Sequence, residues 1–333
     1  MDIATLLALG VLSPGELNAY INNLPRQPTR IAEMGLFKEA GLNGTTFVKV
    51  GIKNDQLVLV PNKPRGAPGQ VKSLNRGRVK IFETAHLPQN STVMADELLN
   101  VFRPDDPAGE SVAAVINALQ VTHKRDVDYT IEYHRIGALR GQVLDADGSI
   151  LWDIHDEFNV TPTVIPFVLG NTQTKVISKT MAVKRAIEDA LGGVPFTGVH
   201  VFTSRSFWDS FTTHASVERA YERWQDGQAL RSDMRKGFSF GEITFEELPG
   251  GVGDTPFIPE GEAIAFPLGV PDMFITRFAP ADYLETVKTT GIPYYTKLEP
   301  MRFNKGVEME SQSNPINLNT RPKAVIRLKA AAS

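Results

Sequence analysis

The chain has 333 residues, with a hydrophobic fraction of 42%, a charged fraction of 22% and a formal net charge of −3. This length suits about two domains or one elaborate domain, and the near-neutral charge argues against nucleic-acid binding by bulk charge. The absence of cysteine excludes disulfides, thiolate metal sites and cysteine nucleophiles. No run of about 18 apolar residues occurs, and no basic residues precede the first apolar run, so we expect neither a membrane span nor a secretion signal.

Residues 1–44 predict short helices joined by proline rather than a compact domain. Ser13-Pro14-Gly15-Glu16 is typical of a helix start, with Ser as the N-cap, Pro at the first helical position and Glu two positions later. The helix LNAYINN ends before Pro25, and a second amphipathic piece, RIAEMGLFKEAG, ends at Gly41. Short helices of this kind form an arm that must pack on another surface.

Residues 45–83 change to a period of two, which is typical of β-strands. TTFVKVGIKNDQLVLVP predicts a strand, a turn at residues 53–55 and a second strand. Every charged side chain from residue 56 to 82 is basic: Lys63, Arg65, Lys72, Arg76, Arg78 and Lys80. A solvated loop is the usual interpretation of such a run. Because a long two-stranded projection is marginal in water by itself, we expect this one to lie on an acidic neighbouring surface.

The strongest helical pattern runs from Pro107 to Gly141, where Val127 and Ile131 share one face. The acids Asp126, Asp128 and Glu132 lie off that face. The pattern does not decide whether the helix is continuous through residues 122–124. An Asp-Gly turn in LDADGS then predicts a hairpin between GQVL and ILWDI.

The second half of the chain mixes helices and strands. A second helix is predicted from about residue 173 to Leu191, where Gly192-Gly193 ends it. GVHVF predicts a buried strand, and SRSFWDSFTTHASVERAYERWQDG predicts two helical pieces with Phe207, Trp208 and Phe211 in the core. The later strand-like runs are FGEITFEEL, EAIAFPL and AVIRLKA. The predicted fold class is therefore α+β.

A search for catalytic chemistry finds one dense polar cluster, in WDIHDEF. Its members are Asp153, His155, Asp156 and Glu157. Metal binding is one interpretation, but the spacing matches neither HExxH nor an EF-hand loop, and a polar strand end is the simpler one. The glycine-rich run at residues 250–253 has neither the GxGxxG pattern nor the Lys-Ser/Thr of a phosphate loop. We therefore expect no catalytic, metal or cofactor site.

The order of these parts resembles the major capsid proteins of tailed bacteriophages, specifically the lambda-type capsid protein E family. The resemblance is carried by HKRDVDYTIEYHRIGALRGQVLDADGSILWD, GVHVFTSRSFWDSF, FEELPG, EGEAIAFPLGVPDMF, APADYLETVKTTGIPYYTK and QSNPINLNTRP, in the order of the family. Each segment alone is unspecific, and their colinearity makes the match. It covers nearly the whole chain and is weakest in the arm.

The resemblance implies the tailed-phage major capsid fold. Its parts would be an N-terminal arm (1–44), an extended hairpin or E-loop (45–83), a peripheral domain with a long spine helix (84–161), an axial domain (162–295) and a return to the peripheral domain (296–333). The strand near residues 324–328 would rejoin the peripheral sheet.

The implied function is a major capsid protein that assembles as hexamers and pentamers into an icosahedral shell around double-stranded DNA. It would need no cofactor, would be assembled in the host cytoplasm and would reside in the virion. A decoration protein, a scaffold and a portal are further partners that the family allows, and covalent cross-links are not expected. We hypothesise that Lys63, Arg65, Arg76 and Arg78 pair with Asp126, Asp128 and Glu132 of the next subunit. The alternatives are an encapsulin-type shell around protein cargo, a metal-dependent hydrolase using residues 153–157, and a monomeric binding module.

Overall fold

The computed structural model describes residues 13–27, 29–52, 78–95, 108–224, 234–253 and 255–331. Contacts divide the chain into two compact units, and both are discontinuous in sequence. The first unit draws on Met1–Lys49, Ile81–Glu132 and Ile275–Asn317. The second unit draws on Val50–Lys80, Tyr133–Phe274 and Leu318–Ser333.

Helices and strands alternate irregularly, which confirms the predicted α+β class. The described α-helices are α1 (Pro14–Asn23), α2 (Arg30–Glu33), α3 (Ala108–Arg140), α4 (Ile154–Phe158), α5 (Val176–Leu191), α6 (Arg205–Thr212) and α7 (Ala215–Trp224). Short 3-10 turns occur at Met234–Lys236, Leu284–Thr286, Arg302–Asn304 and Pro322–Ala324. The described strands are β1 (Lys38–Gly41), β2 (Phe47–Ile52), β3 (Arg78–Glu83), β4 (Leu87–Met94), β5 (Gln142–Leu144), β6 (Ile150–Asp153), β7 (Thr163–Pro166), β8 (Gly198–Thr203), β9 (Phe238–Phe240), β10 (Ile243–Glu247), β11 (Gly251–Val252), β12 (Thr255–Pro256), β13 (Glu262–Leu268), β14 (Phe274–Phe278), β15 (Tyr295–Pro300), β16 (Gly306–Ser313), β17 (Pro315–Asn319) and β18 (Ile326–Lys329).

The first unit is built on the arm, the larger part of α3 and two three-stranded sheets. One sheet has the order β1-β14-β17, and the other has the order β15-β16-β4 with antiparallel pairing throughout. The predicted start of α1 is confirmed, because the Ser13 hydroxyl accepts a hydrogen bond from the Glu16 N–H at 3.3 Å and Pro14 occupies the first turn.

Helix α3 is continuous through residues 122–124, which the sequence pattern left open. It ends at Gly141, whose φ of +91° lies in the region that glycine tolerates best. A Cβ at Gly141 would also stand 1.8 Å from the ring of His155, so any larger residue would force that ring to move. The hairpin after the helix is confirmed as β5 and β6, with Gly148 at positive φ in its turn.

The second unit contains a six-stranded sheet of order β7-β18-β13-β8-β10-β9. Strands β8 and β10 run parallel, and β13 runs antiparallel to both β8 and β18. An aromatic core lies beside this sheet, where Phe211 stacks on Phe245 with ring centroids 4.3 Å apart. Helices α5, α6 and α7 confirm the helices predicted from sequence.

Two expectations about strand pairing have different outcomes. The strand predicted near residues 324–328 exists as β18, but it pairs with β7 and β13 and not with the β15-β16-β4 sheet of the expected peripheral range. That expectation was wrong, because non-local pairing is not encoded in the strand's own residues. Strands β2 and β3 pair as the base of a hairpin, while the turn expected at residues 53–55 lies outside the described residues.

Candidate assembly surfaces

The arm is held on the first unit by buried apolar side chains of α1. Leu17 packs with Ile116 and with the sheet residues Leu298, Val307 and Met309. Ile21, with 1% of its surface exposed, packs with Val127, Ile131, Phe278 and Tyr294. Burying two aliphatic side chains of this size stabilises the docked arm by roughly 3–6 kcal/mol before the entropy of ordering the arm is subtracted.

A stripe of polar side chains on α3 binds the backbone of the arm. The stripe consists of Gln120, Lys124, Asp128 and Glu132, which are spaced four residues apart and are all buried. We call these four residues the arm clamp. The amide of Gln120 donates to the Leu17 carbonyl at 3.2 Å, and the Lys124 ammonium donates to the Ile21 carbonyl at 2.8 Å. The clamp thus satisfies a carbonyl in the last turn of α1 that has no partner in that helix.

The two acids of the clamp accept hydrogen bonds from the arm's backbone. Asp128 accepts from the Gln27 N–H at 3.2 Å and, through its other oxygen, from the Tyr294 hydroxyl. Glu132 accepts from the Ile31 N–H at 2.6 Å. Because Ile31 lies in the first turn of α2 and Thr29 makes no side-chain cap, Glu132 supplies the cap of that short helix.

Burial sets the protonation of the groups around the clamp. Burial, together with the nearby Asp128 carboxylate, raises the pKa of Tyr294 above its ordinary value, so this phenol stays a hydrogen-bond donor. Burial lowers the pKa of Lys124, and its ammonium lies 4.3 Å from the centre of the Tyr294 ring. Arg26 and Glu39 form a two-bond ion pair within the arm, which raises the pKa of Arg26.

The residues proposed for inter-subunit contact fall into four groups. Lys63, Arg65 and Arg76 lie outside the described residues, and Arg78 is the first residue of β3. Asp126 is exposed on α3 and lies 3.3 Å from the guanidinium of Arg125. Asp128 and Glu132 are buried in the arm clamp. The four-residue spacing of the stripe was visible in the sequence, but nothing in the sequence indicated that the arm covers it.

The polar cluster at residues 153–157 is engaged in local structure. Asp153 is the N-cap of α4, accepting from the Asp156 N–H at 3.0 Å and from the Gln142 amide at 2.7 Å. Glu157 pairs with Lys80 at 3.0 Å. Burial lowers the pKa of His155, whose ring lies against Gly141. In the described part of the chain, no group of three or more such side chains is placed to hold a metal ion.

The comparison with protein families decides among the candidate functions. The family described as "Phage major capsid protein E" matches residues 13–330. The chain belongs to this family. As a phage major capsid protein it forms the shell of the capsid, and its place is the virion. The helices that the structure describes include none long and apolar enough to cross a membrane.

Individual relatives agree with this assignment. The capsid protein is 22% identical to the major capsid protein of Salmonella phage Felix O1 over 352 aligned positions, covering 95% of this chain and 96% of that protein. It is 29% identical to the major capsid protein of Pseudomonas phage KPP10 over 201 positions, covering 55% of this chain and 57% of that one. Among solved structures, the putative capsid protein of a prophage of E. coli CFT073 matches with a TM-score of 0.57 at 12% identity, covering 96% and 99% of the two chains. The fold is therefore the expected tailed-phage capsid fold.

Proposed function

We propose that this capsid protein builds its shell as hexamers and pentamers around packaged double-stranded DNA, without catalysis and without a cofactor. The observation that carries the proposal is the family match over residues 13–330. Subunits that occupy both kinds of ring need contacts that are numerous and individually modest. Head-to-tail contacts of this kind close a ring wherever the rotation between subunits allows it.

The extended hairpin supplies one such contact in this proposal. Val79 and Ile81 of β3 are both exposed and, being two residues apart, lie on one face of the strand. On α3, Val121 and Tyr129 are exposed on either side of Arg125 and Asp126. We place the apolar face of β3 from one copy against this outer face of α3 in the next.

Charge favours the same arrangement. The hairpin segment that contains Lys63, Arg65, Arg76 and Arg78 has no acidic residue between positions 56 and 82. Of the three acids proposed to receive it, Asp126 is exposed, whereas Asp128 and Glu132 bind the arm of their own subunit. The proposal therefore assigns the acceptor role on α3 to Asp126. An exposed pair of this kind contributes only about 0–1 kcal/mol, but a shell repeats it many times.

The remaining parts of the proposal rest on the family. Contact with DNA on the inner face would be independent of sequence, and the net charge of −3 gives no indication of binding by bulk charge. A decoration protein, a scaffold and a portal would be its other partners. The boundaries of arm, hairpin, peripheral and axial domains at residues 44, 83, 161 and 295 stay predictions.

Electron microscopy of the purified chain tests this proposal. We expect closed particles made of six- and five-membered rings. Homogeneous monomers at high concentration, or stoichiometric metal in elemental analysis, would contradict it. The double variant Arg76→Glu with Arg78→Glu should reduce particle yield, and the matched control Arg76→Lys with Arg78→Lys should retain it. Full assembly of the charge-reversed variant would contradict the proposed hairpin contact.

A further inference from the structure

The three-stranded sheet β15-β16-β4 has two edges, and the described residues cover only one of them. Helix α1 lies along the edge formed by β15. There the side chain of Asn18 accepts a hydrogen bond from the Thr296 N–H at 2.6 Å, and the amide of Asn22 donates to the Tyr294 carbonyl at 2.8 Å. These two side chains occupy backbone groups that another strand could otherwise use.

The other edge is formed by β4, and the strand register identifies the backbone groups that point outward from it. The Ala95 N–H donates to the Lys305 carbonyl of the β16 side at 3.0 Å, one residue beyond the paired strands. Alternate residues of an antiparallel strand bond to the same neighbour, so the odd-numbered residues of β4 bond to β16. The even-numbered residues, which include Asn90 and Thr92, therefore direct their N–H and C=O groups outward.

This edge is open in the part of the subunit that the structure describes. Asn90 and Thr92 are exposed, and neither N–H has a hydrogen-bond partner among the described residues. The strand is eight residues long, and its sequence, LPQNSTVM, contains no charged side chain. Natural edge strands are usually protected by charges, prolines or a covering segment. Of these devices, β4 itself has only Pro88 near its start.

An uncharged edge strand can pair with a second copy of itself. In an antiparallel pair of two β4 strands centred on Ser91, Asn90 of one copy lies opposite Thr92 of the other. Such residues exchange two N–H···O bonds, and a two-fold axis repeats the exchange, which gives four hydrogen bonds. Pro88 has no N–H, and in this register it falls at the end of the paired segment, opposite Met94.

The charges of the sheet do not oppose this pairing. The nearest row of like charges, Glu308 and Glu310, stands on β16, one strand away from the open edge. In the joined sheet the two rows would be three strand spacings apart, about 14 Å. This distance exceeds the Debye length of about 8 Å at physiological ionic strength, so the repulsion between the rows is largely screened.

We propose that the β4 strands of two subunits pair antiparallel across a two-fold axis, centred on Ser91, and join their sheets into one sheet of six strands. The contact is isologous, because both copies use the same surface. Head-to-tail contacts close a ring but do not by themselves link one ring to the next, and a two-fold contact between rings supplies that link. The inference rests on the proposed shell assembly and adds a contact of different symmetry to it.

Hydrogen exchange resolved to single amides tests the pairing. In unassembled subunits the Asn90 and Thr92 amides should exchange rapidly, and in assembled particles they should exchange roughly 100-fold more slowly. The amides of Gln89 and Ser91 bond to β16 and should be slow in both states. Rapid exchange of Asn90 and Thr92 in the particle would overturn the contact. Slow exchange in the unassembled subunit would also overturn it, because the subunit itself would then cover the edge.

A proline at the edge tests whether the outward N–H is needed. Thr92→Pro removes that donor and leaves the ladder to β16 intact, and proline is tolerated where the N–H of an edge strand faces outward. The subunit should therefore fold with nearly unchanged stability, while the yield of closed particles should fall several-fold. Thr92→Val keeps both the N–H and the branched shape and should assemble normally. Full assembly of Thr92→Pro would contradict the proposal.

Cross-linking tests the register, because the chain contains no cysteine. Asn90→Cys with Thr92→Cys places cysteines opposite each other across the axis, with Cα atoms about 5.5 Å apart, which a disulfide can span. Mild oxidation of these particles should give covalent dimers and no larger species. Each single variant places its cysteines diagonally, about 7–8 Å apart, and should stay monomeric.

The outcomes separate this contact from the wider function. A double variant that stays monomeric in oxidised particles would overturn the contact and leave shell assembly intact. A ladder of higher oligomers would indicate a head-to-tail arrangement and would overturn the two-fold pairing. Failure of the unaltered chain to form particles would instead count against the proposed function. The pairing would then be measured as subunit dimers in analytical ultracentrifugation, which Thr92→Pro should abolish, and a unaltered subunit that stays monomeric there would overturn it.

Discussion

The arm and the turn between β15 and β16 belong to the same unit but differ in how far their side chains are buried. In the arm, Leu17 and Ile21 are buried, and the clamp residues on α3 bind the arm's backbone. In the turn, Phe303 is exposed, and the side chains of Arg302 and Lys305 make no ion pair or hydrogen bond with another described residue. The arm's contacts are completed inside one subunit, whereas Phe303 in the turn is left uncovered by the described residues.

This contrast separates folding from assembly. Contacts completed within the subunit should govern its stability, and their loss should be measurable before any particle forms. Contacts left open should matter little to the subunit and much to the shell. The following predictions test each side of that division.

The largest expected effect is at the apolar anchor of the arm. Ile21→Ala removes a fully buried side chain and should lower the free energy of unfolding by roughly 2–5 kcal/mol. The measurement is urea denaturation of the unassembled subunit. Tyr20 is one residue away and 38% exposed, so Tyr20→Ala is the matched control. It should lower the free energy of unfolding clearly less than Ile21→Ala does. Equal costs would mean that α1 does not dock as described.

The next effect concerns a buried group on α3 that is not matched by a partner. His134 is fully buried, and neither ring nitrogen has a hydrogen-bond partner among the described residues. Burial lowers the pKa of His134 to about 4, and the nearby Asp145 carboxylate opposes this shift more weakly. The unfolded chain takes up this proton near pH 6.5, so it binds more protons than the folded chain between about pH 6.5 and 4. Stability should therefore fall as pH falls through this window, by up to roughly 3 kcal/mol.

The variant His134→Phe isolates this contribution. It should flatten the pH dependence of the free energy of unfolding between pH 6.5 and 4, relative to the unaltered chain. Denaturation curves across that range measure it. Parallel profiles for the two proteins would show that His134 does not titrate as its burial implies.

A smaller effect is expected at the cap of α2. Glu132→Ala removes the acceptor of the Ile31 N–H and should lower the free energy of unfolding by about 1–3 kcal/mol. Hydrogen exchange at the Ile31 amide should speed up accordingly. Glu132→Gln retains an acceptor oxygen and should preserve most of the protection. Fast exchange in the unaltered chain would mean that the clamp is open in solution.

The smallest effect on the stability of the subunit is expected in the turn between β15 and β16. Phe303→Ala should change the free energy of unfolding by no more than about 0.5 kcal/mol, because the side chain is almost fully exposed. Particle yield should nevertheless fall. A large loss of subunit stability would mean that Phe303, like the arm, makes its contacts inside one subunit.

Sequence patterns predicted those parts of the fold that residues close together in the sequence determine. The start of α1 at Ser13, the range of α3 and the Asp-Gly turn before β6 all follow from capping, periodicity and turn chemistry. The pairing of β18 with β7 and β13 depends on residues more than sixty positions away, and no local signal encodes it.

The candidate surfaces show the same limit. The sequence pattern placed Asp128 and Glu132 off the apolar face of α3, but a sequence cannot show that the arm lies over them. The positive φ of Phe303 was also unpredictable, because Phe-Asn carries no glycine to mark the turn.

The most direct test is a cryo-electron microscopy map of the assembled particle at side-chain resolution. The account predicts a closed shell in which α1 lies on α3 of its own subunit and Phe303 is buried against a neighbouring subunit. An arm that binds α3 of another subunit, or a Phe303 that faces solvent in the shell, would contradict it.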